Sequence, residues 1–384
     1  MNKEAKEQEQ EINNGITYGM TLPISSVHDM LDILVKSNQS NVVQGKDKDS
    51  LTIWGKHGIG KTKGIEAYCK ANNHAFAYLP LGQIEEFGDI IGMPSTENGE
   101  TVYSPPPFVP KEPLKEGQQG IFLIDDFNRA SIRIVKGMMQ LVQNYETVGW
   151  KLSDNWHIVM TANPEGVDYD ITSVDFAFLT RSTHVTMEFS IIDWVKWLET
   201  KGYSADLIGY VKSYGLEIDK FINAGKMTTP RSYTAFFDKY DTLMKGNKIE
   251  DNKIGIVKSL AMGKLDPEAA DHFISFMREQ LITVPNVKNF LNNAWEETKL
   301  HLSKYFTDHT SSAFMANIVL ERLKQYCFVE LDHKLEDNQL ENLKNILLYK
   351  NIPVDLRLKL RDKFVKYDKY YSPVVMNPEI QKIS

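Results

Sequence analysis

The chain has 384 residues, of which 42% are hydrophobic and 25% are charged, with a formal net charge of −7 at pH 7. This length accommodates two or three domains, and the composition is ordinary for a globular protein. No apolar stretch approaches the ~20 residues that a membrane-spanning helix needs. The negative balance argues against nucleic-acid binding over the whole surface, although it allows a local basic patch.

Two further features bear on where the protein works. The amino-terminal run MNKEAKEQEQEINN is charged and lacks the apolar core of a secretory signal. Cys69 and Cys327 are the only cysteines, and they form neither a metal-ligand spacing nor a disulfide framework. Both features favour a reducing, cytoplasmic setting.

The first part of the chain predicts a disordered polar lead, over residues 1–20, and then a helix. The helix is predicted to begin at Ser25 or Ser26, either of which suits an N-cap, and to continue through Asn38. A polar loop over residues 41–50 follows. The apolar face of the helix comprises Val27, Met30, Leu31, Leu34 and Val35.

From residue 51 to about 189 the pattern alternates between strand and helix, which is typical of an α/β domain with a largely parallel sheet. Within it, the five prolines between Thr101 and Pro113 predict a stiff loop, either a pore or partner loop or a plain connector. The predicted strands are Leu51–Trp54, Ala75–Leu79, Gly120–Ile124, His157–Thr161 and Thr183–Phe189.

Strand patterns largely end near residue 190, and the remainder of the chain predicts helices. A core domain over 21–190 would be followed by a helical lid subdomain over 191–285 and a helical extension over 286–384. The boundary near 285 has no linker composition to mark it.

The run from Gly55 to Thr62, GKHGIGKT, matches the phosphate-binding pattern G-x-x-x-x-G-K-[ST] at every fixed position. It follows a predicted strand and precedes a predicted helix over Lys63–Asn72. In this context, backbone N–H groups and the positive end of the helix dipole hold phosphates. The alternative, a chance match on a glycine turn, is disfavoured by the same context.

The loop residues have distinct expected roles. The glycines let the backbone curve without a Cβ clash, Lys61 reaches the β- and γ-phosphates, and the Thr62 hydroxyl ligates Mg²⁺. His57 is interpreted as a variable loop-tip residue, not as a catalytic base. We therefore expect ATP with Mg²⁺, and the residues expected to bind the nucleotide are Gly55, His57, Gly58, Ile59, Gly60, Lys61 and Thr62.

Polar residues follow two further predicted strands. Asp125 and Asp126 come directly after the apolar run IFLI, at the strand end where α/β proteins bind ligands. Asp125 is expected to hold Mg²⁺ and Asp126 to orient or deprotonate the attacking water. Asn163 follows the next strand, where its amide can contact that water or the γ-phosphate.

The ordered motifs GKHGIGKT, IFLIDDFNRA, YETVGWKLSDNWHIVMTANP, FLTRS and TPRSY resemble those of AAA+ ATPases of the MoxR type. The resemblance covers about residues 25–240, and the segment beginning IIDWVKWLE is similar to a phage and bacterial branch of such ATPases. It implies a five-stranded α/β AAA+ P-loop NTPase core with a helical lid, here followed by a helical C-terminal extension. It also implies a homo-oligomeric ring, commonly hexameric, with ATP at subunit interfaces. A phage-encoded member would work in the cytoplasm of its bacterial host.

The resemblance assigns roles to individual residues. It implies that Asn163 is the first sensor, that Arg181 in FLTRS is the arginine finger, and that Arg231 in TPRSY is the second sensor at the start of a lid helix. The segment Tyr145–Asn155 resembles the family's pre-sensor hairpin.

One position departs from the family pattern, which usually has Glu after the metal-binding Asp. Asp126 is one methylene shorter, and a general base needs contact over about 2.6–3.2 Å. Asp126 therefore either acts through a backbone adjustment or supports slower hydrolysis. Arg129 and Arg133, predicted on the next helix, either contact a neighbouring subunit or belong to a solvated helix face.

Basic and aromatic residues alternate between Lys344 and Tyr371, a pattern compatible with nucleic-acid binding. However, Asp355, Asp362 and Asp368 dilute the charge. An amphipathic helix with one solvated face is favoured, because apolar residues recur there at helical spacing. They are Ile352, Leu356, Leu360, Phe364 and Tyr367.

The motifs favour an ATPase. The resemblance implies that it remodels or assembles a protein partner, and that this partner is a von Willebrand factor A-type protein. One alternative is a nucleic-acid-associated ATPase in replication, packaging or defence. Another is an assembly module that binds ATP but hydrolyses it weakly. Nucleic acid is the less favoured partner, and no membrane association is expected.

Overall fold

A computed structural model describes residues 19–110, 114–164, 176–244, 251–278, 287–305 and 309–383. Residues 1–18 of the predicted lead, Pro113 and the predicted boundary near residue 285 lie outside these ranges. The chain divides into two compact units, Met1–Asp193 and Trp194–Ser384, and each is described by itself.

The first unit contains a six-stranded sheet and a separate hairpin. Its strands are β1 (Thr21–Leu22), β2 (Leu51–Trp54), β3 (Ala75–Pro80), β4 (Met93–Glu97), β5 (Glu100–Ser104), β6 (Gly120–Asp125), β7 (Trp156–Ala162) and β8 (Thr183–Met187). The large sheet is parallel, in the order β1-β8-β2-β7-β6-β3. The strands β4 and β5 pair with each other in antiparallel fashion.

The sheet has one strand more than the five predicted from the sequence. The additional strand is β1, in which Thr21 pairs with Thr186 and Leu22 with Met187. Two residues are too few to produce an alternating pattern, so this strand depends on pairing with a distant part of the chain. The other five parallel strands lie within two residues of their predicted bounds.

The first helix differs from its predicted start and end. Pro23 is extended, with φ −68° and ψ 163°, and its carbonyl accepts from the Val27 N–H over 3.1 Å, so neither predicted serine caps the helix. The helices of this unit are α1 (Ile24–Val43), α2 (Lys61–Ala71), α3 (Gly88–Ile91), α4 (Ile132–Gly137), α5 (Met139–Asn144) and α6 (Phe176–Leu179). Another helix, α7 (Ile191–Lys201), begins at the end of the unit.

The prediction of a proline-rich loop is wrong at its beginning, because Thr101–Ser104 lie in β5. This strand pairs with β4 from Met93 opposite Ser104 to Glu97 opposite Glu100. Every residue of β4 is exposed. Because little of this hairpin is buried, its sequence lacks the apolar alternation that marks a half-buried strand.

Helices cover both faces of the large sheet. One buried cluster joins α1 and α2 to the sheet and includes Leu31, Ile65 and Leu123. The other joins α4 and α5 to the opposite face and includes Ile124 and Leu141. Neighbouring residues of β6 therefore serve opposite layers, and the strand ends in polar residues at the carboxyl edge of the sheet.

The second unit is helical, and no strand is assigned within its described residues. Its helices after α7 are α8 (Ala205–Ser213), α9 (Gly215–Ala224), α10 (Pro230–Met244), α11 (Asp251–Met262), α12 (Pro267–Phe276), α13 (Val287–Asn292), α14 (Trp295–Tyr305), α15 (His309–Gln325), α16 (Asp337–Leu348), α17 (Val354–Val365), α18 (Asp368–Val375) and α19 (Pro378–Gln381). None of the helices in the described part of the chain combines the length and apolar character that crossing a bilayer requires.

The apolar stripe predicted near the carboxyl terminus is buried except at its end. Ile352, Leu356, Leu360 and Phe364 are at most 8% exposed, whereas Tyr367 is 42% exposed and departs from the predicted stripe. The helix α17 ends at Val365, so Tyr367 no longer follows the helical spacing.

Candidate nucleotide-binding site

The predicted phosphate loop connects β2 to α2 at the carboxyl edge of the sheet. Gly58 and Gly60 have φ values of +73° and +100°, a region that residues with a Cβ rarely adopt. At Gly55, a Cβ would lie 2.7 Å from the Met187 carbonyl oxygen. Gly60 is the N-cap of α2, so the first-turn N–H groups of this helix face the loop, as a phosphate site requires.

Lys61 extends back into this loop and is only 7% exposed. Its Nζ donates to the carbonyl oxygens of Gly55 and Lys56 over 2.6 and 3.1 Å. It also donates to Oδ1 of Asn163 over 3.1 Å. These acceptors compensate the burial of the ammonium group and keep a positive charge beside the first turn of α2.

Thr62 and Asp125 form the part of the site that suits a divalent cation. The Thr62 hydroxyl donates to both carboxylate oxygens of Asp125, over 2.9 and 3.0 Å. Because its proton points at the carboxylate, the lone pairs of the hydroxyl oxygen remain available to a cation. Hydroxyl and carboxylate oxygens are suitable ligands for Mg²⁺, so the residues present fit this ion. Bound with a nucleotide, Mg²⁺ would neutralise charge on the phosphates.

Asp126 has an unusual backbone, and its carboxylate forms one hydrogen bond and one ion pair. Its φ of 50° and ψ of 44° are left-handed, a region that Asp tolerates better than most residues. Its N–H donates to the Thr161 hydroxyl over 2.9 Å. Oδ1 accepts from Nδ2 of Asn163 over 3.0 Å, and Oδ2 lies 3.5 Å from Nε of Arg129. Both oxygens retain further lone pairs, so the carboxylate can still accept a proton.

Asn163 is held in place by Asn128, a residue to which the sequence reasoning assigned no role. Nδ2 of Asn128 donates to the Asn163 carbonyl over 2.7 Å, and Oδ1 of Asn128 accepts from the Asn163 N–H over 3.1 Å. Both residues are at most 1% exposed. This paired contact fixes the backbone of Asn163, and its side chain thereby bridges Lys61 and Asp126.

The two arginines after β6 occupy different settings. Arg129 ends a 3₁₀ turn over Phe127–Arg129. The prediction that it lies on the following helix is therefore wrong. Its side chain is paired with Asp126 of the same chain and is 45% exposed. Arg133 lies on α4 and is exposed. The structure therefore brings Arg129, but not Arg133, to the predicted base.

Arg181, the predicted arginine finger, contacts residues of its own chain. Nε donates to Oε1 of Gln143 over 3.0 Å, and the guanidinium also donates to the Ala177 carbonyl. Gln143 belongs to α5 and Ala177 to α6. Arg231 lies in the first turn of α10 in the second unit, where its side chain is exposed. The roles of both arginines stay predictions.

The segment Tyr145–Asn155, which resembles a pre-sensor hairpin, folds back on itself. The Leu152 N–H donates to the Tyr145 carbonyl over 2.9 Å. The Trp150 indole N–H donates to the Ile90 carbonyl over 2.7 Å, which ties this segment to α3. The hairpin of β4 and β5 begins two residues after α3. The segment Tyr145–Asn155 therefore contacts the helix that leads into this hairpin.

A buried polar network lies at the amino-terminal end of β7, the strand that ends before Asn163. The His157 ring is 3.0 Å from Oε1 of Gln119 and 3.3 Å from Nδ2 of Asn38. Burial, and next the charge of Lys48, lower the pKa of His157 to about 3. Burial raises the pKa of Tyr145 to about 12. Both groups are therefore neutral near pH 7, as a buried network requires.

Tyr78 and Thr161 complete the surroundings of Asp125, and neither was assigned a role from the sequence. The Tyr78 hydroxyl donates to Oδ2 of Asp125 over 3.0 Å, and the Thr161 hydroxyl donates to Oδ1. Thr161 ends the predicted strand two residues before Asn163. This position at the carboxyl end of the strand is the sequence feature that could have indicated its role. Tyr78 lies inside β3, where nothing in the local pattern distinguishes it from an ordinary strand residue.

Fold and site together define a class. The strand β7, which ends before Asn163, lies between β2 and β6, and the glycine-rich loop after β2 leads into α2. The first unit therefore has the fold of an α/β P-loop NTPase core, and a helical second unit follows it.

No family model matches the chain, and no curated protein matches it. Among solved structures, a RuvB mutant of Thermotoga maritima is 11% identical, with a TM-score of 0.35 over 74% of this chain and 89% of RuvB. The Holliday junction branch migration motor RuvB of the same organism is 12% identical, with a TM-score of 0.34 over 73% and 88%. NtrX of Brucella abortus, in complex with ADP, is 12% identical, with a TM-score of 0.38 over 86% and 69%. These likenesses are weak, and the fold class depends on the strand order and the loop geometry.

Proposed function

We propose that the chain is an AAA+ ATPase of the MoxR type that couples ATP binding and hydrolysis to the remodelling or assembly of a protein partner. The observation that carries this proposal is the side chain of Asn163, which contacts both Lys61 and Asp126. Hydrolysis of ATP needs a cation at the phosphates and a base for the attacking water within one small site. Lys61 supplies the first and Asp126 the second, and Thr62 with Asp125 would hold Mg²⁺.

A protein partner fits the exposed hairpin of β4 and β5, where Met93 is 76% and Val102 41% exposed. Exposed apolar residues on a hairpin are suited to contacts with another protein. By resemblance, the active assembly is a homo-oligomeric, hexameric ring, and the partner is a von Willebrand factor A-type protein. We expect this ring to assemble in the cytoplasm.

A second candidate function is a weakly hydrolysing ATP-binding assembly module. It is supported by the shorter base, Asp126, and by the ion pair that this base forms with Arg129. Binding of ATP would then drive assembly, and turnover would be slow. An increase in turnover on Asp126→Glu, with unchanged ATP affinity, would favour this module.

Nucleic acid stays the less favoured partner because basic residues of the carboxyl-terminal segment contact their own chain. Arg357 donates to the Ile352 carbonyl over 3.0 Å, and Arg361 donates to the Ile383 carbonyl over 2.7 Å. Lys363 lies 3.1 Å from a carboxylate oxygen of Glu199. These three contacts leave fewer basic groups of the segment available for phosphate.

The proposed function is tested by measuring phosphate release and particle mass with and without ATP. We expect MgATP turnover that Lys61→Ala eliminates, together with ATP-dependent formation of a ring. Turnover that is stimulated by DNA and lost with increasing salt would favour the nucleic-acid alternative. Failure of the wild-type chain to bind ATP would contradict the proposal.

A further inference from the structure

We propose that Tyr78 is a positioning residue for Mg²⁺, acting through the carboxylate of Asp125. This inference rests on the proposed nucleotide site and adds a residue to it. The contact that supports it is the hydrogen bond from the Tyr78 hydroxyl to Oδ2 of Asp125, over 3.0 Å.

The register of the sheet explains how a residue inside β3 reaches the end of β6. Tyr78 pairs with Leu123 and Pro80 pairs with Asp125. Residues two apart on a strand point to the same face, so Tyr78 and Asp125 project from the same side of the sheet. The long phenol side chain then spans the distance of two residues along the strand.

Tyr78 supplies one of three hydroxyl groups that hold this carboxylate. Thr62 donates to it from the first turn of α2, and Thr161 donates to it from β7. The three donors approach from three different elements, and together they restrict rotation of the carboxylate. Thr62 and Thr161 lie inside motifs of the nucleotide site, whereas Tyr78 lies outside every motif.

The exposure of Tyr78 argues against a purely structural role. Tyr78 is 40% exposed and Asp125 is not fully buried, so this hydrogen bond is not needed to satisfy a buried polar group. A phenylalanine at position 78 would retain the aromatic ring and its contact with Phe76, whose ring centroid lies 6.4 Å from that of Tyr78. The Tyr78→Phe change therefore removes the hydrogen bond to Asp125 and retains the aromatic ring.

Loss of a group that orients a metal ligand typically lowers metal affinity by about 10- to 100-fold. We expect Tyr78→Phe to raise the Mg²⁺ concentration needed for half-maximal nucleotide binding by roughly tenfold, the lower end of the range for such groups. The affinity for ADP in EDTA should not change, because Lys61 and the loop amides remain.

The experiment measures ADP binding to the full chain by calorimetry, first in EDTA and then across a Mg²⁺ titration. Tyr68→Phe is the matched control, since the Tyr68 hydroxyl also donates to a carboxylate, that of Asp32, over 2.6 Å. This control should keep the wild-type Mg²⁺ dependence. Equal affinities in EDTA report that the loop is intact in both variants.

A shift of the Mg²⁺ midpoint in Tyr78→Phe alone would support the proposal. Identical midpoints in the wild type and in Tyr78→Phe would overturn it while leaving the nucleotide site standing. A wild-type chain that binds no ADP, with or without Mg²⁺, would overturn the proposed function and the role of Tyr78 together.

Discussion

The side-chain nitrogen of Asn163 lies 3.0 Å from Oδ1 of Asp126 and donates a hydrogen bond to it. The amide is thereby oriented, because its oxygen must then face the Lys61 ammonium group, 3.1 Å away. One neutral side chain thus sets the positions of a cation and an acid that would otherwise attract each other directly. We regard this bridge as the organising contact of the site.

The first prediction concerns this bridge. Asn163→Ala should lower kcat by roughly 100-fold, since loss of a preorganised polar group at a reacting centre has effects of this order. ATP affinity should change little, because the phosphate loop is intact. Steady-state hydrolysis and calorimetry together separate the two effects. Asn155→Ala, in the segment before β7, serves as a control, and equal kcat values for both variants would contradict the assigned role.

The second prediction concerns the buried ammonium group. Lys61→Ala should abolish ATP binding and leave the fold intact, because it removes the positive charge that the loop encloses. Calorimetry measures binding, and circular dichroism measures the fold. Lys63→Ala is a matched control two residues away, where the side chain is 81% exposed and paired with Glu66. Unchanged affinity in Lys61→Ala would refute the phosphate-loop assignment.

The third prediction is that Arg181 acts on the site of a neighbouring subunit. Its loss should lower the rate by about 10³–10⁵, as expected for an arginine finger. Arg181→Ala and Lys61→Ala chains, each inactive alone, should recover partial ATPase activity when mixed, because some sites combine an intact loop with an intact arginine. Proven co-assembly without recovery would mean that Arg181 serves its own subunit, as its contact with Gln143 allows.

The fourth prediction is a pH dependence of stability. The folded pKa of His157 is lowered to about 3, whereas an unfolded histidine titrates near pH 6.5. Below pH 6.5 the unfolded chain binds a proton that the folded chain does not, so the free energy of unfolding decreases as the pH falls. This group should remove about 2 kcal/mol between pH 7 and pH 5.

Hydrogen exchange of the β7 amides, corrected for intrinsic rates, measures this loss locally. His157→Gln keeps polar groups at the position but does not titrate, so it should lose less protection between the two pH values. An equal loss in both proteins would assign the pH dependence to other groups.

Much of the first unit could be predicted because its signals are local. The strand β6 is an apolar run that ends in two acids, and parallel strands place their carboxyl ends at one edge. That rule alone brings Lys61, Asp125 and Asn163 together, as the structure does.

The remaining features depend on contacts between distant residues, which a local pattern does not contain. The strand β1 is defined by its pairing with β8. The hairpin of β4 and β5 is largely exposed, so its sequence shows no alternation of apolar and polar residues. The contact from Tyr78 to Asp125 requires the register of β3 on β6. The left-handed backbone of Asp126 could not be predicted either, because an Asp after a buried strand does not by itself indicate a positive φ.

The assignment of Asp126 as the base is tested most directly by comparing the wild-type chain with Asp126→Asn in MgATP. Calorimetry measures ATP binding, and phosphate release is followed over time. We expect equal ATP affinity and release of phosphate by the wild type alone, because an amide cannot accept the proton of the attacking water. Release of phosphate by Asp126→Asn at the wild-type rate would contradict the assignment of Asp126 as the base.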